Sequence, residues 1–228
     1  MPEYKFERYG EIATSIVLNP PTPSETMTVA IAGVPRGGTS MVAAVAEALG
    51  VDLGPREELD SDHYEDRIMR NPTNHVVEAT GIAPFFVQQA TYISQRNHEK
   101  AIWGWKNPVG IKSIISLLPI LRNPRVIIVF RDMIASIQGE MRFESSGGVT
   151  SPRVFPTILE QTQNWLKDNV DFIFQAECPT MLVSYERALN NPELFVTELA
   201  AFLSMIPTAE QTAEALSRIN PKGGYLVK

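Results

Sequence analysis

The sequence holds a single cysteine, Cys178, among 228 residues. One thiol forms no internal disulfide, so nothing in the chain calls for an oxidising compartment. Histidine is nearly as scarce. His63, His75 and His98 are the three, and their spacing matches no metal-ligand pattern, so no metal site is expected. Basic residues are outnumbered, with 20 Lys and Arg against 26 Asp and Glu and a formal net charge of −6. An acidic balance argues against nucleic acid or an anionic membrane surface as partner, while leaving room for a local basic pocket around one anionic cofactor. The N-terminus, M-P-E-Y-K-F-E-R-Y-G, lacks the apolar core of a signal peptide. The most apolar region, Ile114 to Phe130, is interrupted by Pro119, Arg122, Asn123, Pro124 and Arg125, so it reads as a helix end plus a strand and not as a membrane span. These absences together predict a cytoplasmic protein.

What is present is an ordinary globular composition, 44% hydrophobic. A chain of this length suits one α/β domain that buries roughly 70% of its unfolded surface. Residues 1–26 are polar and then proline-rich, which reads as an N-terminal arm or edge element followed by a linker. Residues 27–228 form the domain itself. Strand patterns at Val29–Ala32, Ala101–Trp105, Val126–Phe130 and Thr180–Ser184 alternate with helical patterns at Thr39–Leu49, Ile82–Arg96, Val109–Leu121, from about Ile134, and at Ile158–Gln175. Alternation of this kind predicts a three-layer α/β fold, with a mainly parallel central sheet flanked by helices. Tyr64–Arg67 reads as the opening of a helix, because acids favour a first turn. Glu144 to Pro152 reads either as a lid over an acceptor or as a mobile surface loop.

The chain is organised around Met27 to Gly50. Val29–Ala32 is a buried strand, Gly33–Gly38 holds three glycines and a proline, and Thr39–Leu49 is a helix stopped by Gly50. A strand, a glycine loop and a helix N-terminus make an anion site, since the first-turn N–H groups have no partner within the helix. Thr39 and Ser40 add hydroxyls and Arg36 adds a charge. The loop nearly matches the nucleoside-triphosphate pattern G-x-x-x-x-G-K-[ST], but Thr39 stands where that pattern has lysine. The lysine is the group that reaches the outer phosphates of a triphosphate. Here the cation lies three positions upstream, at Arg36.

Pro35-Arg36-Gly37-Gly38-Thr39-Ser40 resembles the loop with which sulfotransferases hold the 5′ phosphosulfate of 3′-phosphoadenosine 5′-phosphosulfate. Four further landmarks follow in that family's order. Tyr64 to Arg67 resembles a G-x-F-E-D-like segment of bacterial and phage-type members. Trp103-Gly104-Trp105-Lys106-Asn107-Pro108 resembles W-G-W-K-[DN]-P and places Lys106 at the carboxyl end of a strand, where open α/β sheets bind ligands. Arg131-Asp132 resembles the start of R-[DN]-P-x-x-x-x-x-S, whose Arg and Ser hold the 3′ phosphate. Met133 replaces the proline, Gly139 replaces the serine, and Ser136, on the same helical face, is the stand-in. Val183 to Leu203 resembles V-S-Y-E-D-L, D-P and an apolar helix. Near the terminus, Lys222-Gly223 resembles a basic segment folded over the 3′ phosphate.

The resemblance implies a P-loop NTPase-like fold and sulfuryl transfer to a hydroxyl or amine of a small-molecule or glycan acceptor, leaving 3′,5′-adenosine bisphosphate. It implies cofactor binding by Arg36, Gly37, Gly38, Thr39, Ser40, Arg131, Ser136, Tyr185, Lys222 and Gly223. Arg36 and Lys106 neutralise charge, and Glu65 is the expected base. His63, Asp62 and His75 stay open as alternatives for the base. A P-loop nucleotide kinase, or a non-catalytic nucleotide-binding protein of the same fold, is the competing expectation.

Overall fold

The computed structural model describes residues 13–55, 59–60, 64–70, 83–146 and 153–219. Asp62, His63, His75, Lys222, Gly223 and residues 147–152 of the expected lid lie outside the described residues. Seven strands make one sheet there: β1 (Ser15–Leu18), β2 (Met27–Ala32), β3 (Leu59–Asp60), β4 (Glu65–Asp66), β5 (Ile102–Lys106), β6 (Pro124–Phe130) and β7 (Thr180–Ser184), in the order β1-β7-β6-β2-β5-β4-β3. The helices are α1 (Thr39–Ala48), α2 (Ala83–Glu99), α3 (Ile111–Leu117), α4 (Met133–Ser146), α5 (Phe155–Gln175), α6 (Tyr185–Asn190), α7 (Pro192–Phe202) and α8 (Ala209–Ser217). The five inner strands from β4 to β7 run parallel. The two edge strands, β1 and β3, pair antiparallel. The residues ahead of Met27 thus contribute an edge strand to the same sheet.

β2 lies at the centre with every residue buried. Its side chains alternate between the two faces, as the period of a strand dictates. Met27, Val29 and Ile31 join Ile127, Val129, Met181 and Val183 against α1, α7 and α8. Ala30 and Ala32 face the other way, with Trp103, Trp105, Val126 and Ile128, against α2, α3 and Phe172 of α5. Two such cores on one sheet make three layers. Each large apolar side chain buried in this way contributes about 1.5–3 kcal/mol.

Two expectations need correction. Tyr64–Arg67 does not open a helix. Glu65 and Asp66 form the short strand β4, with Glu65 in parallel register beside Lys106. The Asp66 carboxylate caps the turn that follows, with its Oδ1 accepting from the N–H of Ile68 at 2.8 Å and of Met69 at 3.0 Å. The Val109–Leu121 helix is also shorter, because α3 gives way at Leu118 to a 3₁₀ turn containing Pro119.

The bottom of the sheet is tied by two arginines. Arg125, 1% exposed, donates to the carbonyl of Phe202, to the Thr22 carbonyl at 3.2 Å and to Ser204 Oγ at 3.0 Å. It thereby fastens the linker and the end of α7 under β6. Arg96 donates to the Asp52 carboxylate, and Lys100 lies 2.7 Å from the other oxygen. Burial pushes the Asp52 carboxyl up, but hydrogen bonds from Arg96, Lys100 and the Gly54 N–H, with the Arg96 charge, bring it down to about 2. A depressed carboxylate contributes stability that is present above its ordinary value of 3.8 and is lost as pH falls through about 2. The stability gap between the wild type and Asp52→Asn, followed by thermal unfolding, is therefore expected to be constant from pH 7 to 5 and to close below pH 3. A gap that persists at pH 2 would refute this. Among the described residues no helix is long and apolar enough to cross a membrane.

Candidate functional site

After β2 the chain builds β3, β4 and β5 on one side of it and then crosses to β6 on the other. That reversal is a topological switch point, and ligands of open α/β sheets bind outside the carboxyl ends of the strands there. The Gly33–Gly38 loop occupies this point. Its turn is closed by the Gly37 N–H donating to the Val34 carbonyl at 2.9 Å, and its start is tied down by the Gly33 N–H donating to the Pro108 carbonyl at 3.0 Å. Gly38 caps α1 with φ 89° and without a side-chain hydrogen bond. A Cβ at Gly38 would stand 2.1 Å from the Tyr185 ring, so left-handed backbone and close approach both require glycine. At the start of α1 the N–H groups of Met41 and Val42 donate to the Gly38 carbonyl at 3.1 and 3.3 Å, and a helix N-terminus at the end of a glycine loop favours an anion.

Lys106, at the end of β5, is 2% exposed. Its Nζ donates to Glu65 Oε1 at 3.0 Å and to Ser40 Oγ at 3.4 Å. Strand pairing explains the meeting, because Glu65 and Lys106 are register partners of adjacent parallel strands. The other Glu65 oxygen, Oε2, accepts from Arg70 at 2.9 Å. Asp66 holds β4 in place from behind, with its Oδ2 accepting from the Tyr92 hydroxyl at 2.7 Å. Burial pushes the Glu65 carboxyl up, but the Lys106 charge and the hydrogen bonds from Lys106 and Arg70 outweigh it, so its pKa lies below the ordinary 4.5. Glu65 is thus a carboxylate that is ionised at neutral pH.

Arg36 departs from the expected arrangement. Its φ of 57° is left-handed, a strained choice for a residue with a Cβ, and the side chain turns toward α4. Its guanidinium carbon stands 3.6 Å from the Phe143 ring centroid, and Nε lies 3.4 Å from Glu140 Oε2. This seat explains Gly139. A Cβ there would lie 3.0 Å from Arg36 Cβ, so the position that resembles the serine of the 3′-phosphate motif is filled by the Arg36 stem instead. Arg131, at the end of β6, donates from Nη1 to the Arg36 carbonyl at 2.7 Å and stacks on Tyr185 with 4.7 Å to the centroid. Its Nε is buried with no hydrogen-bond partner among the described residues. Asp132 caps α4 by accepting from the Ala135 N–H at 2.8 Å. Ser136 is 2% exposed, and its hydroxyl donates to the Asp132 carbonyl at 3.1 Å. That bond stays within the helix.

The structure therefore brings Gly37, Gly38, Thr39, Ser40, Lys106 and Glu65 to one mouth, with Tyr185 and Arg131 along its flank. Sequence reasoning missed Arg70, Glu140, Phe143 and Asn169. Of these, Asn169 alone carried a signal, as a polar residue on the helical face that buries Ile158, Thr162 and Phe172.

A glycine loop between the central strand and the first helix of a three-layer, mainly parallel sandwich defines the P-loop-like class. No protein-family model matches the chain, and no curated protein matches it by sequence. Solved structures do match it. Mouse sulfotransferase SULT7A1, solved in complex with PAP, superposes with a TM-score of 0.54 at 11% identity, over 88% of this chain and 66% of that one. The sulfotransferase domain of a Synechococcus olefin synthase gives a TM-score of 0.55 at 17% identity, over 90% and 79%. Sulfotransferase STF1 from Mycobacterium tuberculosis gives 0.52 at 11%, over 84% and 71%. The chain spans just under two thirds of the mouse protein. At these identities the likeness is one of fold, and the chain has the fold of these sulfotransferases.

Proposed function

We propose that this chain is a sulfotransferase that uses 3′-phosphoadenosine 5′-phosphosulfate, or a close analogue, to modify a hydroxyl or amine of a small-molecule or glycan acceptor. The observation that carries the reading is the buried Lys106, held between Ser40 of the loop and Glu65 of β4. The fold shared with the three sulfotransferases supports it.

The residues present fit an anionic nucleotide. The N-terminus of α1 has no side-chain cap, and Arg131 Nε, beside Tyr185, lies 4.0 Å from Glu186 Oε1 and has no hydrogen-bond partner among the described residues. Gly37, Gly38, Thr39 and Ser40 would hold the 5′ group through backbone N–H groups and hydroxyls, and Arg131 with Tyr185 would hold the 3′ phosphate. When bound, the donor supplies a sulfuryl group already attached to a phosphate leaving group. Lys106 offsets negative charge at the transferred group, in a site where a preorganised cation acts in low dielectric. Ser40 aligns the Lys106 ammonium. Glu65, ionised and next to Lys106, accepts the proton of the attacking hydroxyl or amine. Arg36 braces the loop against Phe143 and Glu140 of α4.

Calorimetry tests the donor half of this reading. The protein is expected to bind 3′,5′-adenosine bisphosphate more tightly than ATP, without magnesium. A charge-assisted contact to phosphate is worth about 1.5–3 kcal/mol, so Arg131→Ala should weaken bisphosphate binding roughly tenfold or more. Equal affinity for adenosine 5′-phosphate and the bisphosphate would show that no 3′ site exists. Tighter, magnesium-dependent binding of ATP would favour the nucleotide-kinase alternative.

A further inference from the structure

Asn169 lies on α5, on the face that turns Ile158, Thr162 and Phe172 inward, and it is 0% exposed. Its Nδ2 donates to the carbonyl of Gly33 at 2.9 Å. Gly33 is the first residue of the loop, and its N–H is taken by the Pro108 carbonyl at 3.0 Å. Both polar groups of this one residue are thus held by elements far away in the chain, one just past β5 and the other α5. The Asn169 Oδ1 is buried with no hydrogen-bond partner among the described residues. An unpaired buried oxygen is unfavourable, and buried amides ordinarily satisfy both ends. An apolar side chain of similar size would remove that oxygen and would sit beside Phe172, three positions on along the same face. The bond to the loop is what an apolar side chain would not supply.

We propose that Asn169 is a positioning residue for the nucleotide loop. By holding the Gly33 carbonyl, it sets the peptide plane between Gly33 and Val34. The tight turn closed by Gly37 and Val34 is built on that plane, and the N–H directions at Gly38 to Ser40 follow from the turn. Small displacements of such donors matter for binding, because a hydrogen bond weakens steeply as its distance and angle leave their preferred range. The nucleotide part of this inference rests on the sulfotransferase reading, whereas the effect on the loop itself does not.

The test compares the full chain with Asn169→Leu and, in case the larger side chain prevents folding, Asn169→Ala. Amide hydrogen exchange is measured without ligand. Peptides covering Gly33 to Ser40 are expected to exchange about tenfold faster in the variants, while peptides of β6 and α5 keep wild-type protection. In the same variants, 3′,5′-adenosine bisphosphate should bind roughly tenfold more weakly. The KM for the donor should rise while kcat at saturating donor stays within about threefold. Loop exchange identical to wild type in both variants overturns the proposal. So does an equal acceleration across the loop, β6 and α5, which assigns Asn169 to general packing. If wild-type protein binds no adenosine bisphosphate, the sulfotransferase reading fails, and the exchange pattern still decides the role of Asn169.

Discussion

Lys106→Met should lower turnover by about 10²–10³-fold, the range for removing one preorganised group that stabilises developing charge. The side chain is 2% exposed, so its stem packs inside the protein while Nζ reaches the mouth. Met keeps that packing and deletes the ammonium. Glu65 retains Arg70 at 2.9 Å, so the carboxylate is not left buried and alone, and the fold should survive. Binding of 3′,5′-adenosine bisphosphate should weaken far less than turnover falls, because the charge is used at the group in transit. Lys106→Arg should not restore the rate. The planar guanidinium is larger and does not place a point charge at the Nζ position between Ser40 and Glu65. Turnover within tenfold of wild type in Lys106→Met would remove Lys106 from the chemistry.

Glu65→Gln should cut turnover at least ~100-fold, the lower range for general-base catalysis. The amide keeps the shape and still accepts a hydrogen bond from Lys106, so the loss isolates the proton-accepting role from the pairing role. The pH profile separates Glu65 from the two histidine alternatives, His63 and His75. The Glu65 pKa is held below its ordinary 4.5 by Lys106 and Arg70. A depressed carboxylate keeps its charge as pH falls through the ordinary value and loses it only below, so kcat/KM should stay flat from pH 7 to about 5. A limb near pH 6.5, the ordinary value for histidine, together with near-normal turnover in Glu65→Gln and its loss in His63→Ala, would move the base to His63. The same depression fixes the sign for stability. The Glu65–Lys106 pair contributes fully above pH 4.5 and fades as pH falls below it.

Much of this architecture was legible in the chain because its signals are local. The β-branched run before Gly33, the glycines of the loop and the helical spacing after Thr39 each report on neighbours within a few residues. The strands Met27–Ala32, Ile102–Lys106, Pro124–Phe130 and Thr180–Ser184 stand within a few residues of where periodicity placed them, and their parallel pairing follows from the helices between them. The Tyr64–Arg67 segment failed for a reason that is equally physical. A short acidic stretch has helix-capping propensity of a few tenths of a kcal/mol, which a strand register and two ion pairs override.

The sequence by itself determined the layers, the parallel sheet, the glycine loop at the end of its central strand and the presence of Lys106 at a strand end, since all of these are encoded in spacing along the chain. Only the tertiary structure decided which charges meet. Glu65 reaches Lys106 across 41 positions, and Asn169 reaches Gly33 across 136. Arg36 turns from the loop to Phe143 and Glu140 of α4. A long polar side chain has many rotamers of similar energy, and the one it adopts is set by partners that the fold brings alongside, not by its neighbours in sequence.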